Sequence, residues 1–71
     1  MTPVPWEKVA RFIEEAHKFR GRVERADALD LAFMEKAPDE VVDAIDALGS
    51  RIFPTPQAAR DFLVAQKYVA A

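Results

Sequence analysis

The stretch from Pro38 to Gly49, Pro-Asp-Glu-Val-Val-Asp-Ala-Ile-Asp-Ala-Leu-Gly, narrows the folds open to this chain more than any other. Proline suits the first helical position, where its missing N–H would have had no partner. Asp39 and Glu40 follow, setting negative charge where the helix dipole is positive. Val41, Ile45 and Leu48 recur at i, i+4 and i+7 as one apolar stripe with Val42 on its flank. Asp39, Asp43 and Asp46 make an acidic stripe opposite, and Gly49 stands where a left-handed helix stop belongs. The stretch therefore spells an amphipathic helix over 38–48. A helix with one apolar stripe needs other elements to cover it.

Proline and glycine punctuate the rest into three further helices. The first is expected over 5–19, opened by Pro5, with Trp6, Val9, Ala10, Ile13 and Ala16 on a broad apolar stripe and Phe12 and Phe19 beside it. Gly21, inside Arg20-Gly21-Arg22, is its expected stop. The second runs from Arg25 or Asp27 to Lys36 (25–36 at its longest), the later start having Asp27 as an N-cap and Asp30 three residues on. Ala28, Leu29, Leu31, Ala32, Phe33 and Met34 leave this helix little polar face, which makes it the centre of the fold or a surface that a partner covers. It ends at Ala37 because Pro38 disfavours helix at the residue before it. Ile52 and Phe53, in the connector over 50–54, are expected to plug the core. Thr55-Pro56 reads as N-cap and first residue of a fourth helix over 56–68. Its Ala58, Ala59, Phe62, Leu63 and Ala65 face inward, and Val64 and Tyr68 lie outward with Gln57, Arg60, Asp61 and Lys67. The expectation is a single all-α domain over 1–71, four short helices on tight turns, with Met1–Val4 frayed. Leu29, Phe33, Ile45, Leu48 and Phe62 are expected to be nearly fully buried.

Length and composition bound the function. A chain of 8.0 kDa buries about 60% of its unfolded surface, so it is stable alone only if well packed, and association would help it. It has no cysteine, which removes disulfides and thiolate metal sites. Its apolar runs are too short to span a membrane, and no signal peptide is visible, so the cytoplasm is the expected location. The net charge of −2 hides an uneven layout: residues 1–25 balance at +2, residues 26–50 at −6 and residues 51–71 at +2. That layout suits attraction within or between chains better than a nucleic-acid footprint, which usually makes a small domain basic overall.

Residues 23–59 carry a family likeness. Leu29-x-x-Ala32, then Ala37-Pro38-Asp39-Glu40-Val41-Val42-x-x-Ile45-x-x-Leu48, then Phe53-x-x-Pro56, resembles the small bacterial DUF2795 family, whose pattern has Leu-x-x-x-Ala, Ala-x-Asp-Glu-Val-Leu-x-x-Leu-x-x-Leu-Pro and an aromatic followed by Ser-Pro. The register from Leu29 to Pro56 needs no gap. Val23 and Gly49 stand where that family has proline, and Thr55 where it has serine. The resemblance implies a compact helical domain of no assigned function and brings no catalytic residues.

Several residues bear on chemistry. Glu14-x-x-His17 has the i, i+3 spacing of carboxylate-bridged metal sites, which need a second copy and further glutamates on facing helices. The chain offers one copy, so a surface Glu and a boundary His is the plainer reading, and no metal or cofactor is expected. Ser50 is the only serine, and no Gly-rich loop follows a strand. Asp39, Asp43 and Asp46, on an exposed stripe without an apolar pocket, read as a solvated face rather than general acids. No catalytic residue and no small-molecule substrate is therefore expected. Lys18, Arg20, Arg22 and Arg25 form the one basic cluster, with Phe19 among them, and carry the alternative of a nucleic-acid-associated regulator built on a helix-turn-helix. The sequence pI of 5.3 and a fourth helix offering only Arg60 and Lys67 weigh against it. The favoured reading is a non-enzymatic helical interaction module. Its expected partner is another protein or a second copy, met through Asp39, Asp43, Asp46, Val64 and Tyr68.

Overall fold

Four helices follow one another where the punctuation sets them. In the computed structural model, which describes residues 2–71, α1 spans Trp6–Arg20, α2 Arg25–Met34, α3 Asp39–Asp46 and α4 Pro56–Ala65. Gly21, at φ 76°, stops α1 and donates its N–H to the His17 carbonyl at 2.6 Å. Thr55 caps α4, its hydroxyl accepting from the Ala58 N–H at 3.1 Å, with Pro56 at the first helical position.

The chain is 61% helical but not purely so, which corrects the all-α expectation. Four two-residue strands flank the helices: β1 (Val4–Pro5), β2 (Val23–Glu24), β3 (Ile52–Phe53) and β4 (Val69–Ala70). β1 pairs with β4 in parallel, Val4 opposite Val69, and β2 pairs with β3 antiparallel, Val23 opposite Phe53. The cause is local. Extended connectors that run over a core must satisfy their backbone polar groups, and each finds the other. Val4 is accordingly buried, not frayed, and its N–H donates to the Tyr68 carbonyl at 3.0 Å. Met1 lies outside the described residues.

One hydrophobic cluster joins all four helices and three of the strands. α1 supplies Val9, Ile13 and Ala16, α3 supplies Val41 and Ile45, and α4 supplies Ala59 and Leu63, all buried. Leu48 is fully buried just beyond α3. Val4, Val23 and Val69 close the cluster from the strands. Three large side chains expected at the centre are displaced: Leu29 and Phe62 are half-buried, Phe62 meeting Phe53 with ring centroids 5.4 Å apart. Phe33 is 61% exposed. Of the connector pair, only Phe53 packs against the core, and Ile52 points to solvent; Ala65 is exposed and Val64 rests half-buried on the core.

α2 is therefore not the centre. Its fully buried residues are the two small ones, Ala28 and Ala32, which let α1 and α3 approach closely. Ion pairs fix it antiparallel to α1: Arg11 with Glu35 at one end, and Arg20 Nε with Asp27 Oδ2, 2.6 Å, at the other.

Candidate interaction surface

The basic cluster is spoken for within the chain. Lys18 Nζ lies 3.4 Å from Glu15, Arg22 Nε 2.7 Å from Glu24, and Arg25 3.1 Å from Asp46. Arg20 holds Asp27 and lies 3.8 Å from Glu24. The hydrogen bond to Asp27 and attraction to the same carboxylate, with a lesser pull from Glu24, hold the Arg20 guanidinium above its ordinary pKa against the opposing cost of desolvation. These cations answer carboxylates on their own surface, and a phosphate would have to displace those partners.

The acidic stripe and the basic turn do meet, at one point, through Arg25 and Asp46. Asp39 and Asp43 stay exposed and have no ion-pair partner among the described residues. Val64 and Tyr68 do not make the outward apolar pair the spacing predicts. Val64 packs against the core, and Tyr68 is exposed beyond the end of α4. Of the five residues of the expected surface, Asp39, Asp43, Asp46 and Tyr68 are exposed and Val64 is half-buried. Glu14 is exposed and His17 half-buried, and among the described residues no group of three or more His, Asp or Glu converges on a metal position. No polar or charged side chain is fully buried among them either.

The surface that stands out lies elsewhere. Phe19 is 73% exposed at the end of α1, and Phe33 and Met34 are 61% and 79% exposed on α2. Between the two helices runs an open groove of about 300 Å³, with Ala16, Phe19 and Leu31 as its apolar lining and Glu15, Asp27 and Asp30 as its polar one. Arg20 leans over the Phe19 ring, its guanidinium carbon 5.2 Å from the centroid. Helical spacing puts Met34 on the same side of α2 as Asp27, Asp30 and Leu31, so the groove leads onto it. The sequence carried the signal for this surface: α2 has little polar face, and a ten-residue helix packed against neighbours on one side must leave apolar residues out on the other.

Comparison with family models, with curated proteins and with solved structures finds no match. The reading of function therefore rests on the surface itself.

Proposed function

We propose that this chain is a non-enzymatic protein-interaction module of the cytoplasm, and that its docking face is the apolar surface formed by the end of α1 and the outward side of α2. One observation carries the reading: Phe33 and Met34 stand in solvent on a helix whose opposite side already fills its place in the core. Single exposed apolar residues are ordinary, but a helix apolar on both sides is the pattern of an element covered on both sides. The small size supports association, since a domain this short gains from added buried area. The likeness of residues 23–59 to the DUF2795 family, and with it a bacterial source, belongs to the same proposal.

The test is affinity capture from the native host, run in parallel with the chain and with a Phe33→Ser/Met34→Ser variant. Circular dichroism first establishes that the variant keeps its helices and melting temperature. Proteins captured by the chain and lost with the variant support the proposal. An unchanged set of captured proteins overturns it, and so does saturable, salt-dependent binding of duplex DNA or RNA that Arg22→Glu abolishes.

A further inference from the structure

Three of the four helices run into a residue that stops them. Gly21 follows α1 at φ 76°, Pro38 stands four residues beyond α2, and Gly49 stands three beyond α3 at φ 66°. α4 meets neither proline nor glycine through Ala70, and spacing alone carries it to 68. It ends at Ala65 all the same. Lys67 takes φ 65°, a left-handed conformation that crowds its own Cβ, and β4 then pairs with β1. Local preference and tertiary pairing therefore disagree over one short segment. The backbone can follow either. The Lys67 N–H donates to the Val64 carbonyl and the Tyr68 N–H to the Leu63 carbonyl, both at 3.0 Å. Continuing α4 would pass each donor to the other's carbonyl, Lys67 to Leu63 and Tyr68 to Val64, with neither bond lost. In favour of the paired form stand the Val4 N–H bond to the Tyr68 carbonyl, 3.0 Å, and the burial of Val4 and Val69. The segment brings little else to the core, since Gln66, Lys67, Tyr68 and Ala70 are all exposed.

We propose that residues 66–70 are a two-state element, paired with β1 in the main form and wound onto α4 in a minor one. Two arrangements of one segment interconvert when their free energies differ little, and here helix propensity and the relief of Lys67 oppose the burial of two valines. Passing to the wound form bares Val4 and Val69 together and takes from β1 its strand partner. The element uses no residue of the docking face on α1 and α2, so the two readings stand or fall separately.

The experiment is NMR of the full chain and two variants, reading amide hydrogen exchange and Cα chemical shifts. The Val4 amide reports the pairing directly. It should exchange at least about tenfold faster than the amides of Ile13 and Ile45, which open only with the whole fold. Lys67→Gly relieves the left-handed residue and weakens the helix, so it should slow Val4 exchange about tenfold. If the segment opened into coil instead, the extra freedom of glycine there would offset the relief and leave the rate within about twofold. Val69→Ala removes part of the buried side chain and favours helix, so the Cα shifts of Tyr68 and Ala70 should move to helical values. The proposal is overturned by a Val4 amide no faster than those of Ile13 and Ile45. It is equally overturned by a Val4 rate that Lys67→Gly leaves unchanged, or by Tyr68 and Ala70 shifts that stay non-helical in Val69→Ala.

Discussion

Ile45 and Leu63 have no exposed surface, and Phe33 has most of its own in water. Shortening either of the first two to Ala removes buried methyl groups and leaves a cavity, at a cost of about 2–5 kcal/mol. That is a large share of the stability of so small a domain. Phe33→Ala should cost at most about 0.5 kcal/mol, as surface changes do. Urea melts of the three variants check the contrast, and a Phe33→Ala cost as large as the other two would mean that α2 is turned the other way. Arg20 gives a different kind of expectation. A group whose pKa is raised on folding lends stability below its unfolded value, and loses it only as pH climbs through the folded one. For a guanidinium made more basic by Asp27, that window lies above ordinary working pH. Arg20→Ala should therefore lower the melting temperature without changing its slope between roughly pH 8 and 10.

The helices were legible because proline, glycine and apolar spacing agree on them, and α3 needed nothing else. The strands were not, since two residues are too few to show alternation. Two helix ends were also hidden. At α2 the Ala37 N–H reaches back to the Ala32 carbonyl at 2.9 Å while Lys36 takes φ 56°. At α4 the Tyr68 N–H does the same to Leu63, 3.0 Å, with Lys67 at φ 65°. Both are Schellman stops, a position usually given to glycine, and here lysine holds the left-handed conformation against the crowding of its own Cβ. Lys36→Gly and Lys67→Gly should relieve that crowding and leave stability unchanged or raised by up to about 1 kcal/mol, because the looser unfolded chain offsets part of the gain. Thr55→Ala, which strips the cap from α4, should cost about 1 kcal/mol. The proposed docking face was half legible. The small polar face of α2 pointed either to the centre or to a covered surface, and periodicity alone cannot choose between them. The small Ala28 and Ala32, which fit the tight contacts with α1 and α3, take α2 out of the centre and leave Phe33 and Met34 exposed.

Among the described residues the charges are arranged mostly as short local pairs, and three of them, Lys8 with Glu40, Arg11 with Glu35 and Arg25 with Asp46, join distant stretches of chain. Exposed pairs contribute about 0–1 kcal/mol each and are screened by salt. A double-mutant cycle on Arg25 and Asp46 should return a coupling of about 0.2–1 kcal/mol that shrinks at high salt. The apolar closure of β1 on β4 has another consequence. Joining Val4 to Val69 encloses nearly every residue between them, and closing a long loop before its interior is ordered forfeits chain entropy for a two-residue ladder. α1, α2 and α3, which pack each on the next, can gather first, and α4 and the clasp, which both close back onto the start of the chain, fasten afterwards. Interactions formed after the transition state govern how fast a protein opens rather than how fast it closes. In stopped-flow measurements Val69→Ala should accordingly steepen the escape from the native state and leave the refolding rate almost untouched, making the clasp a latch on the lifetime of the fold.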